Sequence, residues 1–306
     1  MDILGRTHIE LQDLLRLQQQ LLTSGLFAGK STHSTLLGLH RSRLRGRGME
    51  FDQVRAYQFG DDVRNIDWRV TARTAELHSK EFKEEKEHPV FLIVEQSPAM
   101  FFASQGNFKS VQAAVVASLF AWAAHANHDS VGGLIFSHSL YAEIRPQRYQ
   151  RGVLKLLSQL AQDNQELKQP GSYRLGNPLE QALTHSRAIL RPNSLIIIVC
   201  DERSINPHNS ALMQTLAQRF DLVLAPIFDP LEHQLPQSRG LAFQQDDNFL
   251  TINAHRSTLS KRWQQHGWTY RQQWQKLAQQ TNLALFPLST ATSVAQQLAN
   301  LSKQNR

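Results

Sequence analysis

Six apolar residues in a row, Leu195-Ile196-Ile197-Ile198-Val199-Cys200, run directly into Asp201. A run of that length, rich in β-branched residues and with no polar break, reads as a strand buried on both faces. The chain around it repeats the theme. Val90–Val94 is a second short apolar strand, and residues 107–126 carry Phe108, Val111, Val115, Leu119 and Trp122 on one helical face. Val131–Phe136 and Leu140–Ile144 read as a hairpin. Further on, helices are predicted over 149–162, 178–190 and 207–219, with a strand at Leu222–Phe228 and a small hairpin over 241–252. A long helix is predicted over 255–281, with Gly267 the one place where it could break, then a strand at Leu283–Leu288 and a closing helix over 290–302. Strands alternating with helices predict an α/β domain: a mostly parallel sheet with helices on both faces and an antiparallel strand at one edge. Ligands of such sheets gather at the carboxyl ends of the strands. Those ends are Glu95-Gln96-Ser97, Asp201-Glu202 and Asp229-Pro230.

The first 88 residues have a different character. Residues 8–22 place Leu11, Leu14, Leu15, Leu21 and Leu22 at helical spacing, and Gly25 and Gly29 end that helix. Residues 30–88 are dense in both charge signs, with Arg41, Arg43, Arg45 and Arg47 at alternate positions, as in an extended segment with one basic face. Two domains are therefore expected, an N-terminal helix with a charged extension over 1–88 and the α/β domain over 89–306.

Charge and cysteine usage bound the setting. The formal net charge is +7, and residues 254–306 hold no Asp or Glu while Arg256, Lys261, Arg262, Arg271, Lys276, Lys303 and Arg306 match that whole excess. Such a region can meet nucleic acid, an anionic membrane or an acidic protein, or can simply be a solvated face. The single cysteine, Cys200, permits no internal disulfide and fits a reducing compartment. The start of the chain is not read as a signal peptide, and no apolar stretch reaches the ~18 residues of a membrane span. The expected location is the cytoplasm.

Most chemical motifs fail on inspection. Gly25-Leu26-Phe27-Ala28-Gly29-Lys30-Ser31 resembles a phosphate loop but is one residue short and follows a helix rather than a strand. His125 and His128 have no evident third ligand. Cys200 sits in an apolar strand beside a carboxylate, the opposite of what activates a thiol. No nucleophile elbow, zinc-protease motif or dinucleotide fingerprint is present, and a non-catalytic protein is expected.

The most specific tract runs from Gly38 to Glu87. It contains Ser42, Gly46-Arg47-Gly48, Glu50-Phe51, then Arg55-Ala56-Tyr57 and Gly60-Asp61-Asp62-Val63-Arg64-Asn65-Ile66-Asp67-Trp68, then Ala72-Arg73. Read physically, Asp61, Asp62 and Asp67 lie within reach of Arg55, Arg64, Arg69 and Arg73. Bidentate Arg–carboxylate pairs would lock a segment that has no core of its own, with Tyr57 and Trp68 as anchors. The segment is either a structural clasp or a docking surface, and the two can coexist. Residue for residue the tract resembles the domain of unknown function 58 family, and the resemblance extends through the α/β region. It implies a von Willebrand factor A-like, Rossmann-like fold. It also implies a partner, a MoxR-type AAA+ ATPase, with work in chaperone-like maturation of protein complexes or in stress tolerance. Arg55, Tyr57, Asp61, Asp62, Arg64, Asp67, Trp68 and Arg73 are then the expected partner-binding residues.

Folds of that kind often carry a metal-ion-dependent adhesion site, with Asp-x-Ser-x-Ser after the first strand, a Thr from a second loop and an Asp after a later strand. Its hard oxygen ligands suit Mg²⁺. Here the corresponding positions are Glu95, Ser97, Ala99, Asn177 and Asp201. The resemblance implies a degenerate site, either holding Mg²⁺ through Glu95, Ser97, Asn177 and Asp201 or acting through hydrogen bonds. No other cofactor is expected. The alternative function is nucleic-acid binding through the basic C-terminal region, with Trp263, Trp268 and Trp274 as stacking groups.

Overall fold

The structure, a computed structural model, describes residues 5–24, 49–84, 89–137, 141–168, 178–236, 240–245, 248–252 and 257–304. In chain order the elements are α1 (Leu11–Ser24), β1 (Met49–Ala56), α2 (Trp68–Thr74), β2 (His78–Glu84), β3 (Val90–Glu95), α3 (Lys109–Ala126) and β4 (Val131–Phe136). They continue through β5 (Tyr141–Gln147), α4 (Gln150–Glu166), α5 (Pro178–Ile189), β6 (Leu195–Asp201), α6 (Pro207–Ala217), β7 (Asp221–Phe228) and α7 (Pro230–His233). The last are β8 (Leu241–Gln245), β9 (Asn248–Ile252), α8 (Ser257–Thr281), β10 (Ala284–Leu285), β11 (Leu288–Ser289) and α9 (Val294–Gln304). The phosphate-loop-like stretch and the alternating arginines lie outside the described residues.

The chain folds as two units, Met1–Arg41 with Pro89–Arg306, and Ser42–His88. The domain expected over residues 1–88 is therefore divided: α1 belongs to the larger unit, and only the charged segment stands apart.

In the larger unit one sheet runs β10-β7-β6-β3-β4-β5, with β11 also beside β7. Neighbours are parallel except β5, which pairs antiparallel with β4 through the expected hairpin. The chain builds outward from β3 to β5, then returns to lay β6 and β7 on the other side of β3. The winding thus reverses between β3 and β6, the kind of switch point where α/β sheets place their ligands. Glu95 ends β3 and Asp201 ends β6. The strand expected at Leu283–Leu288 is broken in two at Phe286-Pro287, although the register with β7 is the same on both sides of the break.

Alternation along the strands fills two cores. Val90, Leu92 and Val94 of β3 and Ile197 and Val199 of β6 face a cluster with α1, α3 and α4. Phe91 and Ile93, with Ile196, Ile198 and Cys200, face the other with α5, α6 and α8. Each fully buried Ile, Leu or Val contributes about 1.5–3 kcal/mol. Helix α3 departs from the one-sided burial expected of it: every residue from Lys109 to Ala124 is buried. The reason is α1, which covers its outer side. Ser118 Oγ and Trp122 Nε1 both donate to the Leu14 carbonyl, each at 3.1 Å. Helix α8 is continuous through Gly267, where a Cβ would lie 2.8 Å from the Glu232 carbonyl oxygen. The glycine lets α7 lie against α8 rather than breaking the helix. No helix among the described residues is long and apolar enough to cross a membrane.

Asn164 links three segments from within this core. Its Oδ1 accepts from the Ile9 amide at 2.9 Å, and its Nδ2 donates to Gln96 Oε1 at 3.0 Å. Asn164→Ala leaves a buried amide and a buried carbonyl unpaired, a loss of about 1–3 kcal/mol for such a group. Thermal melting and limited proteolysis should show a lower midpoint and earlier cleavage beside α1. An unchanged melt and digest would contradict this role.

Candidate functional site

The strand-end face is built around two buried acids. Glu95 Oε1 accepts from Ser97 Oγ at 2.6 Å, and Oε2 accepts from the Asp201 amide at 2.9 Å and Ser204 Oγ at 3.3 Å. Burial, then the neighbouring charge of Asp201, pushes the Glu95 carboxyl above the usual range, against the hydrogen bonds from Ser97 and Asp201. Asp201 behaves oppositely. Burial pushes it up, but the Lys109 ammonium and the Arg203 guanidinium outweigh that and hold it at about 2. Together, burial and these two carboxylates push the Cys200 thiol well above its usual value, consistent with an inert core residue.

Lys109 opens α3, and its side chain is 0% exposed. Its Nζ donates to Asp201 Oδ2 at 2.8 Å and to Glu232 Oε1 at 2.7 Å. Arg203 completes the cluster, with Nη2 2.7 Å from Asp201 Oδ2 and Nε 3.2 Å from Glu232 Oε1. Two cations thus face two carboxylates, and the extra acid, Glu95, is the one pushed toward its neutral form.

Glu232 is placed by a capping box. Asp229 Oδ1 accepts from the Leu231 amide, and Glu232 Oε2 accepts from the Asp229 amide. The Asp229 carboxylate also receives the Ser104 amide and hydroxyl and, at 2.6 Å, Thr290 Oγ1. Although burial opposes it, these bonds hold Asp229 below the usual range. The loops after β3, β7 and β11 are thereby tied at one carboxylate.

The structure brings Glu95, Ser97 and Asp201 together; Asn177 lies outside the described residues. Their arrangement does not fit Mg²⁺. The Ser97 hydroxyl donates to Glu95, both Glu95 oxygens accept from the protein, and an ammonium rests on Asp201. Octahedral oxygen coordination with several waters has no free donors here to build on. Among the described residues, no group of three or more His, Cys, Asp or Glu is placed to hold a metal. His125 instead packs edge-on against Trp122.

The charged unit pairs β1 antiparallel with β2, and α2 lies in the connection between them. One of the expected ion pairs forms: Arg55 grips Asp61 bidentately, both bonds 2.8 Å, and lowers its pKa. Tyr57 Oη donates to the Asp61 carbonyl at 3.3 Å. Asp62 and Asp67 take backbone partners rather than the expected arginines. Asp62 accepts from the Arg64 amide, and Asp67 caps α2 through the Arg69 and Val70 amides, with Lys80 Nζ 3.9 Å away. Arg64 and Arg73 are exposed. Trp68 is not the buried anchor expected: it is 67% exposed, whereas the nearby Ile66 is buried.

Two of the three tryptophans considered for base stacking are engaged elsewhere. Trp274 is buried and its Nε1 donates to the Glu202 carbonyl, while Trp263 Nε1 donates to the Leu231 carbonyl, each at 2.8 Å. Trp268 is exposed.

Sequence reasoning missed Lys109, Arg203 and Glu232. One signal was present for each of two. Lys109 is the lone charge at the head of a helix that is otherwise uncharged through Ala124, and Asp229-Pro230-Leu231-Glu232 has capping-box spacing. Arg203 had none beyond its nearness to Asp201.

The fold and this site define a mixed α/β protein with a mostly parallel sheet and a polar cluster at its switch point. The chain belongs to the family described as "Protein of unknown function DUF58", whose model matches residues 53–273. Relatives from Mycobacterium bovis and Mycobacterium tuberculosis, both described as uncharacterised proteins, are 24% identical over 233 residues, 75% of this chain and 70% of theirs. Among solved structures, the conserved hypothetical protein BatB from Bacteroides thetaiotaomicron matches 71% of this chain and 99% of its own, at 11% identity and a TM-score of 0.37. An aerotolerance-related membrane protein from Bacteroides fragilis, carrying multiple mutations to serine, gives the same coverage at 12% identity and a TM-score of 0.39.

Lys109→Met should cost about 3–5 kcal/mol, because it takes the buried ammonium from Asp201 and Glu232 and leaves them only the more exposed Arg203. Denaturant unfolding measures this directly, and a loss under about 1 kcal/mol would contradict the assignment. The two acids give opposite pH responses. The Asp201 contribution is complete above its ordinary pKa of 3.8 and is lost as pH falls toward about 2. Glu95, raised from 4.5, favours folding most below that value and less as pH rises through its folded pKa. Wild type should therefore lose stability relative to Glu95→Gln as pH rises from 4.5 toward neutrality. A pH-independent difference between the two would contradict the raised carboxyl.

Proposed function

We propose that this chain is a non-catalytic adaptor on a von Willebrand factor A-like domain, binding a MoxR-type AAA+ ATPase in the cytoplasm. Its work would be chaperone-like maturation of protein complexes or stress tolerance. The partner is what the resemblance of the Gly38–Glu87 tract implies. The state of the strand-end acids supports a non-catalytic role, since Glu95, Asp201 and Glu232 are bound to protein donors and Cys200 is held as an inert thiol.

The observation that carries the reading is in the charged unit. Between residues 59 and 68 a chain held by the Arg55–Asp61 pair and the Asp67 cap exposes Phe59 at 105%, Val63 at 62% and Trp68 at 67%. Exposed aromatics on an already ordered segment lose little entropy on docking, and Trp with Arg is the composition of binding hot spots. The bidentate pair and the cap make the segment both clasp and docking surface.

Co-elution with the MoxR-type ATPase of the same genome, with and without ATP and Mg²⁺, tests the partner. Phe59→Ala/Trp68→Ala should weaken the complex at least about tenfold, the range of a hot-spot loss, with an unchanged melt of the free chain. No complex in any nucleotide state would overturn the partnership. A complex indifferent to the double substitution would move the docking surface elsewhere.

A further inference from the structure

We infer that the Lys109 ammonium takes the place of a divalent cation at the β3–β6 switch point, so the cluster is closed to metal. Of the positions that resemblance assigns to metal ligation, Glu95, Ser97 and Asp201 converge, and Asn177 lies outside the described residues. What lies on Asp201 is a side chain from the chain's own next helix. The loop after β3 leads directly into α3, and α3 begins at Lys109. That position points the side chain back over the strand ends, as side chains at a helix start do. Its Nζ reaches Asp201 on one side and Glu232 on the other, at 2.8 and 2.7 Å.

Three features set this apart from an ordinary ion pair. The ammonium is completely buried, between two carboxylates and over the ring of Phe102, whose centroid is 5.9 Å from Nζ. It bridges acids from two elements, Asp201 at the end of β6 and Glu232 in α7, as a metal ion would. The charges also fit a smaller central charge. A divalent ion would need more anionic oxygen than is free, whereas a single positive charge, supplemented by Arg203, balances Asp201 and Glu232 and leaves Glu95 to hydrogen-bond with Ser97 and the Asp201 amide. An approaching group meets Arg203, whose side chain is 45% exposed, and no open metal position.

Mn²⁺, titrated from micromolar to millimolar into the full chain and followed by the loss of its free-ion electron paramagnetic resonance signal, tests the inference. Wild type should leave that signal at its buffer value throughout. Lys109→Ser, which removes the ammonium and adds a hydroxyl oxygen, should gain one Mn²⁺ site per chain, and Lys109→Ser/Asp201→Asn should lose it again. The inference is overturned if wild type binds one Mn²⁺ per chain in a manner abolished by Asp201→Asn. It is equally overturned if folded Lys109→Ser, checked by circular dichroism, binds none. Should Lys109→Ser not fold, the wild-type titration decides alone. The ATPase is absent from this experiment, so its result is independent of the partner proposal.

Discussion

The Nζ of Lys109 joins the start of α3 to a carboxylate at the end of β6 and another in the first turn of α7, residues 92 and 123 positions away. Burying one ammonium or one carboxylate alone is costly, and close, well-aligned pairing is what offsets it. The rest of the strand-end face follows from that requirement. Glu232 must be held in place, so it is fixed by the Asp229 capping box; Asp229 in turn gathers Ser104 and Thr290. Arg203 supplies the second positive charge. Glu95, left over in the balance, is pushed toward its neutral form by burial and by Asp201.

The same cluster explains why a sheet with its winding reversal between β3 and β6 need not carry an open ligand site there. The reversal creates a crevice between strand ends. In this chain the crevice is occupied by side chains that satisfy one another. In the charged unit, a bidentate pair and a helix cap order a segment on which Phe59, Val63 and Trp68 are exposed.

Much of the fold was legible because hydrophobic periodicity reports burial directly. The run Leu195–Cys200 is a central strand buried from Ile196 onward, and the hairpin of β4 and β5 forms the antiparallel edge. What periodicity does not report is which element covers which. The one-sided pattern expected for α3 missed that α1 seals its other face, and grouping α1 with the charged segment was the same error seen from the other end. At the site, Glu95, Ser97 and Asp201 were findable because strand ends follow from strands. Lys109 and Glu232 were not paired in advance, since no local pattern brings together residues 123 apart. In the charged segment, opposite charges close in sequence suggested ion pairs throughout, but a nearby backbone amide satisfied Asp62 and Asp67 without fixing a long side chain.

The central claim is that Lys109 and Asp201 stabilise the fold through each other. A double-mutant cycle with Lys109→Met, Asp201→Asn and the combined variant, read by denaturant unfolding at neutral pH, isolates that coupling. Each single substitution should be strongly destabilising, and the pair should cost less than their sum by more than about 1 kcal/mol, as for groups in direct contact. Losses that add to within about 0.5 kcal/mol would mean that the two residues act independently, and would contradict the account.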